Sequence, residues 1–205
     1  MTDTFKDLNG VLLQGHIKIT DPESGEVLID KRNAIHYENM SIALAESLAN
    51  AGQGPIYKMA FGNGGTAVDP TGIITYLTPN STGTNASLYN QTFAKVVDDQ
   101  ASNNTDPVRN KIETRHVSGT NYTDILVSCL LDYGEPSGQD AFDTTTNTEN
   151  LYVFDELGLI SAGASGADGR LLTHVIFHPV QKSLNRLIQI DYTVRVQSLT
   201  GFNEV

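Results

Sequence analysis

Residues 187–197 alternate with a period of two. Ile188, Ile190, Tyr192, Val194 and Val196 fall on one side, and Gln189, Asp191, Thr193, Arg195 and Gln197 on the other. Successive side chains of a strand point to opposite faces, so this run describes a long strand with one dry and one wet face. A strand of this kind commits the chain to long antiparallel ladders.

Other segments carry the same signal. His16–Thr20 and Val27–Ile29 flank the turn residues Asp21, Pro22, Ser24 and Gly25, which predicts a hairpin. Strand-like runs follow at 56–61, 93–97, 111–117, 125–131, 151–154 and 171–177, with a turn expected around 179–185. One helix is expected, at about 39–50. There Met40, Leu44 and Leu48 recur at a spacing of four, Asn39 or Ser41 can cap the start, and Asn50-Ala51-Gly52 supplies a stop. Strand–helix alternation of the kind a parallel α/β fold requires is missing. The fold class is therefore mainly β: an antiparallel β-sandwich or curved sheet with one short α-helix and long polar loops. Residues 1–205 read as a single domain with loop insertions near 62–91, 98–107 and 134–150. The first of these is too rich in Asn, Thr, Ser and Gly to make core, and loops of that length tend to be mobile or to contact a partner.

Charge limits the partners. Asp and Glu outnumber Lys and Arg by 24 to 13, for a formal charge of −11, so binding of nucleic acid over a broad surface is disfavoured. The N-terminus shows no basic region followed by an apolar stretch, and no apolar run reaches membrane-spanning length. Synthesis in a reducing cytoplasm and no membrane partner are the expectations. The single cysteine, Cys129, lies in an apolar run and reads as a buried structural thiol.

Candidate chemistry is weak. His174 and His178 are four apart, which would pair two imidazoles on a helix, but on a strand the separation is roughly 13 Å, too far for one ion. No metal and no cofactor are expected. Gly62-Asn63-Gly64-Gly65 follows a strand as a phosphate loop does. However, no helix follows and no lysine stands where one is needed, so a turn with positive φ is expected. The pairs Asp98-Asp99, Asp132 with Glu135, and Asp155-Glu156 read best as solvated turn carboxylates. No serine sits in a Gly-x-Ser-x-Gly elbow. An enzyme is the weaker hypothesis.

Four blocks carry a resemblance: Asn33–Ser41, Met59–Gly65, Tyr152–Leu159 and Leu172–Ser183. They resemble small virion structural proteins of tailed bacteriophages, of the neck, collar, tail–baseplate or capsid-decoration type. The resemblance implies a non-enzymatic structural subunit of the virion, made in the host cytoplasm. It would assemble with copies of itself, as a homo-oligomer, and with other virion proteins, through β-edge and loop contacts. The neck, collar or tail–baseplate region ranks first and capsid decoration second. A module that binds host-surface glycans or a receptor is the alternative from another class. Asp155 and Glu156 are candidate interface residues at a subunit seam, with Arg170, Lys182, Arg186 and Arg195 as candidate partners.

Overall fold

The computed structural model describes residues 10–136 and 151–199. The expected loop at 134–150 therefore lies, from residue 137 on, outside the described residues. The strands are β1 (Gly10–Thr20), β2 (Val27–Ile35), β3 (Ile56–Gly62), β4 (Thr66–Val68), β5 (Ile74–Tyr76), β6 (Gln91–Val96), β7 (Lys111–His116), β8 (Tyr122–Leu131), β9 (Leu151–Ala162), β10 (Asp168–Leu171), β11 (Thr173–Ser183) and β12 (Ile188–Leu199). The main sheet runs β6-β3-β9-β11-β2-β1-β12-β8-β7, with β10 on β9, and β4 and β5 form a separate hairpin. The pairings are antiparallel. Of the two expected architectures the curved sheet is the one formed: the sheet curls strongly into a half-barrel.

β12 follows its sequence pattern. Ile188, Ile190, Tyr192 and Val194 are buried and Val196 partly so, while Asp191 is exposed. It lies between β1 and β8 with long uninterrupted registers on both sides, so its dry face and those of β1 and β8 form one wall of the core. The opposite wall comes from β3, β9 and β11, where Phe61, Phe154 and Phe177 stack edge-on with ring centroids 5.5 and 5.7 Å apart. The two walls meet at a narrow seam. β11 pairs with β2 through Thr173–Ile35 and His174–Ala34 only.

The helix α1 (Tyr37–Leu48) starts and ends two residues earlier than expected. Its cap is His36, whose Nδ1 accepts from the Asn39 N–H at 3.2 Å, rather than Asn39 or Ser41. Asn50, with φ of 51°, and Gly52, with φ of 71°, end it as expected. The buried stripe is Asn39, Met40 and Ala43, set against the core, while Leu48 is 88% exposed. The spacing of four thus marks the right face at Met40 but drifts off it by the last turn.

Three further expectations change. β8, expected at 125–131, begins three residues earlier and lies next to the end strand β7. β9 does not stop at Phe154 but runs through Asp155-Glu156 to Ala162. β11 continues past Pro179 to Ser183, its register against β9 slipping between Ile176 and Val180, so the turn expected around 179–185 is confined to its last residues, at Leu184 and Asn185. Proline lacks the ladder donor, and a bulge is where a sheet tolerates it.

Candidate functional site

Asp155 and Glu156 are adjacent on β9, and both are buried rather than solvated. A carboxylate removed from water must be compensated by donors. Backbone N–H groups from distant segments supply them. Glu156 Oε1 accepts from Gly64 at 3.1 Å and Asn90 at 2.8 Å. Its Oε2 accepts from Tyr89 at 2.9 Å and from His174 Nε2 at 3.0 Å. Asp155 Oδ1 accepts from the Gly65 N–H at 2.9 Å, and Oδ2 accepts from the Thr66 N–H at 2.9 Å and from the Thr66 hydroxyl. The glycine-rich turn is thus a nest of N–H groups for anions, filled by the chain's own side chains. Burial alone would raise the Glu156 carboxyl, but the hydrogen bonds from His174, Asn90, Tyr89 and Gly64 outweigh it and hold the group below its ordinary range.

The glycines are needed for proximity, not for handedness. Gly62, Gly64 and Gly65 have no positive φ, contrary to the sequence expectation. A Cβ on Gly62 would strike the Glu156 carboxylate, one on Gly64 would lie 2.8 Å from Asn90 N, and one on Gly65 would lie 2.9 Å from Ile176 Cγ2. At positions 62, 64 and 65 only a backbone without side chains fits this close to the two carboxylates and their other donors.

His174, on β11, is completely buried beside Glu156. Its Nδ1 accepts the Asn80 N–H at 2.8 Å. A backbone N–H can only donate, so Nδ1 is the accepting nitrogen and Nε2 the one that donates to Glu156. His178 points elsewhere, is exposed, and has its Nδ1 3.2 Å from the Tyr76 hydroxyl. Each histidine makes ordinary hydrogen bonds.

Asn80, Tyr89 and Asn90 belong to one segment, residues 77–90, which lies as a strap across the outer face of β9 and β11. Gly83 fastens its middle: its carbonyl accepts from His36 Nε2 at 3.0 Å, and its N–H donates to Glu38 Oε2 at 3.2 Å. Beneath the strap Leu88 is buried against Ala60, Ile160 and Leu171. This polar loop therefore does make core, through one leucine and the hydrogen bonds around it. Sequence reasoning missed the strap and the carboxylate nest. The available signal was a turn with surplus N–H donors in the same chain as two acids embedded in an apolar run.

The cations named with the acidic pair sit elsewhere. Arg170 Nη1 is 3.2 Å from Glu46, Arg186 Nε is 2.9 Å from Asp21, and Arg195 Nε is 2.7 Å from Asp124 while its guanidinium lies 3.9 Å over the Tyr122 ring. Lys182 is fully buried and donates to the carbonyls of Asp132 at 2.9 Å and Ser183 at 2.8 Å. Within the subunit none of them meets Asp155 or Glu156. Of the pair Asp132 and Glu135, the Asp132 carboxylate faces Arg109 at 2.7 Å and Glu135 faces Lys95, while the Asp132 N–H donates to Glu135 at 2.9 Å.

As arranged, the Glu156–His174 pair has no face toward a substrate, because both groups are 0% exposed. Its chemistry is to hold backbone in place. Two other surfaces remain. An apolar groove of about 370 Å³ opens between α1 and the inner faces of β1, β8 and β12, lined by residues that include Leu13, Met40, Leu44, Ile125 and Val196. The β4–β5 hairpin is a separate ladder tied to the main sheet by Thr66 on Asp155 and Tyr76 on His178, and it leaves Val68 63%, Ile73 61% and Tyr76 53% exposed. Among the described residues no group of His, Cys, Asp and Glu is arranged to hold a metal, and no helix is long and apolar enough to cross a membrane. No family model, curated protein or solved structure matches the chain.

Proposed function

We propose that the chain is a non-enzymatic structural subunit of a tailed-bacteriophage particle. It acts at the neck, collar or tail–baseplate region and assembles with copies of itself and with other virion proteins. The observation that carries the reading is the β4–β5 hairpin. Its tip is stiffened by Asp69 Oδ1, which accepts from the N–H groups of Thr71 at 2.8 Å and Ile73 at 3.0 Å, yet it holds Val68 and Ile73 out in water. Apolar side chains on a preorganised projection lose little entropy on docking, which suits a contact between subunits. The end strand β7 supports the reading less, because it carries Lys111, Glu113 and Arg115, charges that discourage indiscriminate edge pairing.

The resemblance of the four sequence blocks supplies the particle, and the hairpin supplies the means of attachment. Repetition of one modest contact in a closed ring gives a durable assembly. Light scattering on the purified chain and protein analysis of purified particles test this. The native chain should be oligomeric or be present in particles, and Val68→Asp combined with Ile73→Asp should weaken that association while leaving the fold intact. A chain that is monomeric at high concentration and missing from particles ends the reading.

A further inference from the structure

The one helix covers only part of the sheet it lies on. α1 is buried along Asn39, Met40 and Ala43, whereas Leu44 is half-buried and Leu48 exposed, so its contact with the sheet thins toward the last turn. The apolar groove of about 370 Å³ lies in that gap. We infer that the groove binds a small cationic amphiphile, a single alkyl chain ending in an ammonium group, with the chain against Leu44, Ile125 and Val194 and the head at Asp98. This site is independent of any role of the β4–β5 hairpin.

The lining is apolar apart from three side chains. Asp98 is its one charged residue, and Ser47 and Thr114 are the other two polar ones. The Ser47 hydroxyl is spent inside the helix, donating to the Ala43 carbonyl at 2.7 Å. Gly54, with φ of 102°, lets the turn after α1 close in on the helix, since a Cβ there would lie 2.5 Å from the Ala43 oxygen. Apolar walls with a few polar groups that orient the guest are the usual form of a small-ligand site of this size. A methylene takes about as much room as a water does in the liquid, about 30 Å³, so the groove suits a chain of about ten carbons or fewer.

Charge sets the head group. Asp98 stands just past β6, next to the fully buried Val97, and its N–H is held by the Tyr57 carbonyl at 3.2 Å. Its Oδ1 accepts the Gln100 N–H at 2.9 Å, and Asp99 beside it accepts from the Gln100 side chain at 3.0 Å. Among the described residues neither carboxylate forms an ion pair, while the lysines of the flanking strands are engaged elsewhere, Lys111 by Glu113 and Lys58 by Asp168. A carboxylate at the edge of an apolar wall is partly withdrawn from water, so a cation beside it gains more than in bulk solvent. An anionic head would instead meet two negative groups. An added strand is a poorer occupant, because the end strand β7, which lends Ile112 and Thr114 to the lining, presents Lys111, Glu113 and Arg115 along the same edge.

Octylamine, octanol and octanoate, each added to the full chain below its micelle concentration, test the site by calorimetry and methyl NMR. Octylamine should bind once and saturably, shift the methyls of Leu44, Ile125 and Val196, and bind about threefold or more tighter than octanol, with octanoate weakest. The amine preference should shrink in high salt. Because the chain carries a formal charge of −11, the local carboxylate must be separated from the total. Asp98→Asn changes that total by a single charge and keeps an oxygen for the Gln100 N–H. It should bring octylamine down to the affinity of octanol and leave octanol unchanged. Thr114→Phe, at an exposed position of the lining, fills the groove from β7 and should abolish binding of all the probes. The affinity order and the methyl map of the wild-type chain keep the question decidable if a variant fails to fold. Octylamine that does not bind or does not saturate, methyl shifts away from the groove, an amine preference that survives Asp98→Asn, or full binding in Thr114→Phe would each overturn the inference.

Discussion

Gly62 and Glu156 are register partners on β3 and β9, and the glycine lies so close to the carboxylate that a Cβ at position 62 would clash with Oε1. The same Cβ would lie 2.5 Å from the Asn90 carbonyl, so it has no direction in which to yield. Gly62→Ala should therefore destabilise the fold by about 2–3 kcal/mol, from overpacking and loss of part of the carboxylate's hydrogen bonding. Gly10→Ala, where the nearest atoms are 3.8 Å away, should change stability by less than about 0.5 kcal/mol. Urea midpoints of the two variants at neutral pH check the contrast.

Glu156 should give the fold an acid limit. Its folded-state carboxyl lies below the ordinary value of 4.5, because the donors around it outweigh the cost of burial. It therefore contributes stability that is present above its unfolded value and is lost as pH falls through the lower folded value. Glu156→Gln removes the charge and sets an amide N–H₂ against a cluster of donors, at a cost of about 3 kcal/mol at pH 7. Chemical denaturation of both proteins from pH 7 to about pH 3 should show wild-type stability falling toward that of the variant below about pH 4.5.

Lys182 should act in the same direction, but in the alkaline range. Burial pushes its ammonium down to about 8, against the attraction of Glu135 and Asp132. Between that value and its unfolded one, near 10.5, the unfolded chain binds more protons, so stability rises with pH in that window. Moving from pH 7 to about pH 9 should add about 1 kcal/mol, and Lys182→Met should remove the rise. Midpoints measured at the two pH values decide it.

Cys129 should be silent in the native protein. It is 0% exposed on β8, and burial pushes its thiol up to about 12. At pH 8 a disulfide thiol reagent should label it slower, by about a thousandfold or more, than in denaturant, because reaction must await opening of the core. Labelling at the denatured rate would place β8 outside the core.

The periodic parts of the fold were legible in the sequence because their cause is local. Ile188 to Val194 are buried where alternation predicts, and β3 runs one residue past its predicted end. What escaped depends on distant partners. Asp155-Glu156 reads as a charged interruption of an apolar run. Its burial becomes possible only when N–H groups from residues 64–66 and 89–90 arrive, and nothing near position 155 announces them. Pro179 and Leu48 mislead for the same reason. A bulge rescues the strand past the first, and the second sits on a final helical turn that extends past its support. The interface role given to Arg170, Lys182, Arg186 and Arg195 came from charge alone, and charge in a sequence does not reveal that Glu46, the Asp132 carbonyl, Asp21 and Asp124 already face them.

The narrow pairing of β11 with β2 has a mechanical consequence. A sheet joined through two residue pairs resists twisting poorly at that line, and the strap crosses it, bonded to His174 on one flank and to His36 and Glu38 on the other. Any change in the angle between the two walls must stretch those bonds. The strap is therefore a brace across the short ladder, beside the His36 N–H on the Leu172 carbonyl and the Lys31 ammonium on the Ile176 carbonyl, and a neighbour that gripped it would bear on the angle between the two walls.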